Sequence, residues 1–352
     1  MKLPKKPTID DVARVAGVAR ATVSRVLNNN PNTSAKVRDR VLGAVEMLGY
    51  QVNHQARQLA SGTTRVLAIV FAADAEVEPN SYYHSAIELG AMRSATQNGY
   101  GLVAHTVDPS SNEYRSKITT LGSQSRCDGV VLTPPFSDDL GLIQELSSNG
   151  VPVVLISAGP DTRDVAPSVG IDDWQAGLEL GNYLYAQGHR RFGFIGGPKE
   201  HRSAALRLEG LHAALNGGRE TEVSVVVAEG NFTFKSGIDL AASLFAEESR
   251  PTVLVCANDD MAAGALFSAH RLGLSVPADI SITGFDDTPV SQIVWPPLTT
   301  IHQPLRQIGE KAIELLIRSC SGENRAGLDH RRAHLVPHDL VIRASSSANS
   351  AC

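Results

Sequence analysis

After Thr64 the chain settles into one repeating pattern: a short apolar run, then an amphipathic stretch. The runs "VLAIVFA", "GVVL", "VPVVLI" and "FGFIGG" alternate with segments such as "SAIELGAMRSATQNG" and "DWQAGLELGNYLYAQGH". Short strands alternating with helices indicate parallel α/β units, because parallel strands need a crossover connection between them. The pattern repeats from about 164 to 288, so residues 65–344 read as two similar subdomains, split near 164 and again near 288. A chain of 352 residues is too long for one ordinary core, which agrees with several domains. Hydrophobic residues make up 42% and charged residues 20%, with no apolar run long enough to span a bilayer.

The first 61 residues are different. They hold ten Lys or Arg against four Asp or Glu, a net +6, whereas the remainder holds 22 against 33, a net −11. A basic head on an acidic body suggests that the head alone meets a polyanion. Within it, "TIDDVARVAGVARATVSRVLNN" begins with Thr8 and Asp11 at capping-box spacing, ahead of the helical stripe Ile9, Val12, Ala13 and Ala16. Gly17 breaks that helix, with Val18 as a plug. A second helix from about Arg20 to Leu27 buries Val23, Val26 and Leu27, and leaves Arg20, Ala21, Thr22, Ser24, Arg25 and Asn28 outside. Ser34 is placed to cap a third helix, which packs Val37, Val41, Val45 and Leu48 on the first two. Two short helices around a Gly turn make a helix-turn-helix. Its outer residues suit DNA: Arg for guanine, hydroxyls and amides for phosphates or bases, Ala for a thymine methyl. A plain three-helix bundle with solvated arginines has the same spacing.

The stretch closely resembles the DNA-binding segment of the lactose-repressor (LacI/GalR) family of bacterial transcription regulators. The resemblance continues in order through "GYQVNHQARQLASGTT", "CDGVVLTPP", "VPVVLIS", "VGIDDWQAG", "GHRRFGFIGGP", "RLEG", "ANDDMAAG", "ITGFDD" and "PPLTTIHQP". It implies a helix-turn-helix domain over 1–52, a hinge helix and linker over 53–64, and an effector-binding and dimerisation domain over 65–344. That domain would be two doubly wound, periplasmic-binding-protein-like halves. Residues 345–352, with the run "SSSANS", read as a flexible tail.

The resemblance also assigns roles. Arg20 and Ala21 fall where operator choice is set, Arg25 is the other base reader, and Thr22, Ser24 and Asn28 contact or position phosphates. Ala19 departs from relatives that carry a capping Ser there. In the hinge, Leu59 is the minor-groove wedge, with Asn53 and Arg57 as backbone contacts, and Val52 replaces a common Pro. The hinge helix is too short to stand alone in water, so its formation is expected to depend on DNA and a partner subunit.

Ligands in doubly wound sheets sit beyond the carboxyl ends of the strands. Arg207, Asn258, Asp260 and Asp286 fall near such ends, and ionised groups make strong hydrogen bonds to hydroxyls. Phe232 and Tyr83 offer rings for the apolar face of a sugar. Thr133 and Ser203 complete the expected effector set with Ser157, which stands where some sugar-responsive relatives carry Asp. Trp295 is expected to pack. The implied protein is a homodimeric repressor of carbohydrate-utilisation genes that a sugar or glycoside releases from a pseudo-palindromic double-stranded operator. A purine or other small metabolite acting as corepressor uses the same parts.

Other classes fit less well. A sugar-binding transport protein calls for a signal peptide and no basic head, and "MKLPKKPTIDD" lacks the apolar core of a signal. "GFIGGP" lacks the full dinucleotide spacing, and there is no Ser elbow, phosphate loop or helically spaced His pair. No enzyme activity, cofactor, metal or membrane contact is therefore expected. Cys127, Cys256, Cys320 and Cys352 are scattered, which fits a reducing cytoplasm.

Overall fold

The computed structural model describes residues 7–27, 33–50, 63–73, 81–123, 126–216, 222–321 and 333–349; Asn28, Asn53, Arg57 and Leu59 lie outside them. Two compact units divide the chain, Met1–Thr64 and Arg65–Cys352.

In the first unit, α1 (Ile9–Ala16), α2 (Arg20–Leu27) and α3 (Ala35–Leu48) enclose a small core. Val12, Ala13, Ala16, Val23, Val26, Val41 and Ala44 are buried in it, with Leu27, Val37, Val45 and Leu48 packed half-buried around them. Ser34 occupies the cap position of α3, but its side chain makes no capping bond; the expectation of a capping hydroxyl there does not hold.

The second unit is built on two parallel sheets. One holds β1 (Val66–Ala72), β2 (Gly101–Val107), β3 (Gly129–Leu132), β4 (Val153–Ile156), β5 (Ser168–Gly170) and β11 (Ala333–Leu335), in the order β11-β5-β4-β3-β1-β2. The other holds β6 (Arg191–Gly196), β7 (Ser224–Glu229), β8 (Val253–Cys256) and β9 (Ser281–Thr283), in the order β7-β6-β8-β9. The second strand of each thus lies outside the first, the same winding twice. All residues of β3, β4 and β8 are buried, which is why they read as unbroken apolar runs rather than alternating ones.

Helices α4 (Ser81–Gln97), α5 (Tyr114–Ser123), α6 (Leu140–Ser148) and α12 (Leu305–Cys320) attend the first sheet. The second has α7 (Asp173–Ala186), α8 (Arg202–Asn216), α9 (Phe234–Phe245) and α10 (Asp259–Arg271), with the short α11 (Val290–Ile293) following. Three helix pairs meet through reciprocal glycines. A Cβ on Gly177 would lie 2.1 Å from the Arg207 carbonyl oxygen, and one on Gly210 2.0 Å from that of Trp174. Gly90 and Gly309 join α4 to α12 in the same way, and Gly237 and Gly264 join α9 to α10. Backbones this close leave no room for a methyl group.

Among the described residues the chain passes between the two lobes three times, not twice. The first passage follows Gly170, later than 164, because β5 still pairs with β4 through Leu155–Ser168 and Ile156–Val169. The second follows His302, later than 288, because the bridges Thr283–Thr299 and Asp286–His302 keep that stretch beside β9. β10 (Thr300–His302) is then met by β12 (Asp339–Val341), antiparallel, after β11 has paired with β5. That return is the third passage.

Two further expectations fail. Ser345 to Asn349 are not a loose tail: the Ser345 hydroxyl donates to the Ile282 carbonyl at 2.6 Å and accepts from the Thr299 amide at 2.8 Å, and Asn349 N–H donates to the Gln187 carbonyl at 2.7 Å. Trp295 does not pack; it is 79% exposed, because Pro296 and Leu298 take the interior positions. Cys127 and Cys256 are buried free thiols and Cys320 a half-buried one. Among the described residues no helix is long and apolar enough to cross a membrane.

Candidate functional site

The turn of the first unit is fixed from both sides. Thr8 N–H and Oγ1 both donate to the Asp11 carboxylate, at 3.0 and 2.8 Å, and the Asp11 amide returns a bond to Thr8 Oγ1. These bonds hold the Asp11 carboxyl below its ordinary range. Gly17 ends α1 at φ +59°, a left-handed conformation that suits glycine. Arg40 reaches across from α3: Nε donates to the Ala16 carbonyl at 3.1 Å and Nη2 to that of Gly17 at 2.9 Å. This guanidinium takes up carbonyls that the helix end leaves without partners.

α2 starts after Ala19, whose carbonyl accepts from the Thr22 and Val23 amides at 2.8 and 3.2 Å. Burial of Val23 and Val26 turns Arg20, Ala21 and Arg25 outward, with Thr22 and Ser24 half-buried at the flanks. Arg20 lies 3.9 Å from Asp10, both well exposed; at that separation in water the pair holds neither side chain firmly. α2 therefore presents two exposed guanidinium groups and a small Ala on one face.

In the second unit, a cavity of about 670 Å³ lies beyond the carboxyl ends of the strands and is lined from both lobes. Six of the nine expected effector residues line it: Tyr83, Ser203, Arg207, Phe232, Asn258 and Asp286. Arg207 is buried on α8. Its Nε donates to Asp173 Oδ1 at 2.8 Å, Nη1 donates to the Ala257 carbonyl at 2.6 Å, and its guanidinium lies 3.6 Å from the centre of the Phe285 ring. Asp286 follows β9 at φ +107° and is 4% exposed, with Gln303 Nε2 donating to Oδ1 at 2.6 Å. Burial pushes its carboxyl up to about 7, against the opposing pull of Arg207 and Gln303.

Asn258 is committed on both ends of its amide. Oδ1 caps α10 by accepting from the Met261 amide at 3.0 Å, and Nδ2 donates to the Phe232 carbonyl at 2.9 Å. Phe232 itself is held at φ +66°. Burial, with Asp286 nearby, raises the Tyr83 phenol well above its ordinary value. Strained backbone at Phe232, Asp286 and nearby Ser157 (φ +51°) gathers around this one cavity, as it tends to do at ligand-binding sites.

Three expected residues are not on the lining. Thr133 is buried, its hydroxyl spent on the Val70 carbonyl at 2.9 Å. Ser157 sits behind, its carbonyl accepting from Ser203 Oγ at 3.2 Å. Asp260 is half-buried, and its charge helps to raise the Asp286 carboxyl. The lining also includes groups that the sequence reading passed over: His84, Tyr114, Asp138, Asp139, Glu200, His201 and Asn231. A signal existed for the two Asp residues, since "TPPFSDD" follows the strand "GVVL" directly. His84 and His201 carry no local motif. Burial pushes their imidazoles down to about 4 and about 3, so both are neutral near pH 7.

Comparison with known proteins agrees with this division of labour. Residues 8–53 match the lacI family of bacterial regulatory proteins, and residues 182–346 match a periplasmic binding protein-like domain. Catabolite control protein A of Priestia megaterium is 33% identical over 341 residues, covering 96% of this chain and 99% of that one. The Lac repressor dimer bound to operator and the anti-inducer ONPF is similar at a TM-score of 0.82 and 31% identity, over 98% of this chain and 100% of that one. The complex of the transcriptional regulator CelR with cellobiose is similar at a TM-score of 0.70 and 28% identity, over 97% and 100%. The reading head, the two-lobed body and these matches along nearly the whole length lead to one conclusion: the chain belongs to the LacI family of bacterial regulatory proteins and is a ligand-responsive transcription repressor, not an enzyme.

Proposed function

We propose that this repressor binds a pseudo-palindromic operator as a homodimer and is released from it by a sugar or glycoside held in the cavity between the lobes. Arg20, Ala21 and Arg25 read bases, while Thr22, Ser24 and Asn28 position phosphates. Leu59 enters the minor groove, with Asn53 and Arg57 on the backbone beside it. The observation that carries the effector reading is the pairing of polar groups (Arg207, Asp286, Asn258) with rings (Phe232, Tyr83) around one cavity, a combination suited to hydroxyls on one side of a sugar and C–H groups on the other. The cellobiose bound by the similar CelR regulator supports a carbohydrate. A ligand can shift DNA affinity only by binding one arrangement of the lobes better than the other.

A purine-like corepressor is the second reading, favoured by the ring cluster in which His201 meets Phe232 at 4.7 Å. The test is direct. An operator is selected from random duplex DNA, the protein is screened by thermal shift against sugars, glycosides and purines, and operator affinity is measured with and without each hit. A sugar that lowers operator affinity supports the first reading. A purine that raises it supports the second, and enhanced binding by a sugar would overturn the induction sign.

A further inference from the structure

Most polar groups on the cavity wall already have partners. Arg207 is tied to Asp173 and Ala257, Asn258 to Met261 and Phe232, and Ser203 to Ser157. Asp139 accepts from Tyr114 Oη at 2.6 Å, from Arg115 Nε and Nη2 at 2.9 and 2.7 Å, and from the Leu142 amide at 3.1 Å. Against this background, Asp138 Oδ2 and His201 Nδ1 are buried and have no hydrogen-bond partner among the described residues. Both residues line the cavity, and they come from opposite lobes: Asp138 follows β3, and His201 immediately precedes α8. Buried polar atoms are nearly always satisfied in native proteins, so two orphans on one cavity point to what the cavity takes.

Neither group is free to turn away. Asp138 Oδ1 accepts from the Gly159 amide at 2.7 Å, which orients the carboxylate; a Cβ on Gly159 would come within 3.1 Å of that oxygen. The His201 ring packs edge-on to Phe232, and its backbone N–H donates to the Pro198 carbonyl at 2.9 Å. The charge balance of the lining adds a constraint. Among the described residues, Asp138, Asp139, Glu200 and Asp286 are its acidic members, with Asp139 paired to Arg115, and Arg207, its arginine, is paired with buried Asp173. The imidazoles add no positive charge near pH 7, and the Asp138 carboxyl, raised by burial to about 6, is ionised there and accepts hydrogen bonds.

We propose that Asp138 and His201 are the specificity pair that grips the effector from the two lobes, and that this effector is an unphosphorylated, hydrogen-bond-donating molecule, neutral or cationic. An anion would bring its charge against carboxylates, while the arginines beside them among the described residues, Arg207, Arg115 and Arg202, are already paired with Asp173, Asp139 and Glu209. The proposal rests on the cavity being the effector site and goes further, by excluding phosphate esters and carboxylates and by assigning the discriminating groups. Because each lobe supplies one partner, the ligand that satisfies both holds the lobes together.

The test uses the full-length protein and its Asp138→Asn and His201→Gln variants, with titration calorimetry against three panels. These are free hexoses, their β-glycosides and nucleosides; the matching hexose 6-phosphates and nucleoside 5′-phosphates; and the matching amino sugars. Binding is expected only in the first and third panels. Asp138→Asn keeps an acceptor for the Gly159 amide, so its melting temperature should not fall while affinity for the hit falls about 10- to 100-fold. His201→Gln should lose affinity unequally across hits, changing their order. A phosphorylated compound that binds more tightly than its parent would overturn the proposal, as would wild-type affinity in both variants, or no binding in any panel. A hit that depends on Asp138 but leaves operator affinity unchanged supports the pair and refutes the regulatory reading on which it rests.

Discussion

Replacing Asp286 by Asn should make the free protein more stable, and more so in alkaline than in acid solution. Asp286 is buried, and its carboxyl is lifted from 3.8 to about 7. A carboxyl that holds its proton more tightly when folded takes up protons on folding between about pH 4 and 7. Stability therefore falls as pH rises through that window and levels off above it. At about 1.4 kcal/mol for each tenfold change, ionising Asp286 costs the fold about 4 kcal/mol at pH 8 and about 2 kcal/mol at pH 5. Structural relaxation and local hydration reduce both, so the Asn variant should gain about 1 kcal/mol more at pH 8 than at pH 5. Asn can still accept the bond from Gln303, and contributions from Asp138, His84 and His201 cancel between the two proteins. Urea unfolding of both proteins at the two pH values, followed by near-ultraviolet circular dichroism, reads the difference. A gap that does not change with pH would refute the reasoning, because of the two side chains only the carboxyl titrates. The same variant should bind effector more weakly with operator affinity nearly intact, trading function for stability.

Arg25→Ala should weaken specific DNA binding by about 1–3 kcal/mol and relax base choice at one position per half-site; equal losses on operator and random DNA, measured by anisotropy, would make it a phosphate contact. Leu59→Ala should leave the melting temperature of the free protein unchanged but reduce operator bending and specific affinity, whereas a destabilised variant that bends DNA normally would sink the wedge assignment. Deleting residues from Ser345 onward leaves the Thr299 amide and Ile282 carbonyl without their partner and should cost about 1–3 kcal/mol of stability for each buried group left unpaired; an unchanged thermal melt would contradict the tail's structural role. Gly177→Ala should lower both melting temperature and effector affinity, since the new methyl collides with the carbonyl of Arg207; calorimetry showing native affinity would count against that coupling.

What could be read from the sequence followed from how each element is buried. β1, β3 and β4 were visible because covering both faces of a parallel sheet demands continuous apolar residues. The head was visible because Thr8, Asp11 and Gly17 mark a helix start and stop by their own chemistry. The three-residue strand β11 and the bridges of Thr299 and His302 are too short for any periodicity, so the extra passage between lobes left no trace. "SSSANS" looked like a tail because serine composition says nothing about whether its hydroxyls find buried carbonyls. The cavity divides the same way. Arg207 and Asp286 stand in recognisable motifs, but His84, Asp138 and His201 meet only through the winding of both lobes, and Thr133 looks like a ligand group until its hydroxyl is found bonded to Val70.

The reciprocal glycines bear on how such a protein can diversify. Each pair locks two helices in fixed register, so α7 and α8 travel as one cassette, and Arg207 and Asp173 keep their spacing whatever happens to the loops ahead of them. The segment carrying His201 lies just outside that lock. A chimera that exchanges 197–201 between relatives should accept new chemistry at the cavity mouth with the anchoring ion pair undisturbed. An exchange whose boundary falls between Gly177 and Gly210 would mate two halves cut from different keys.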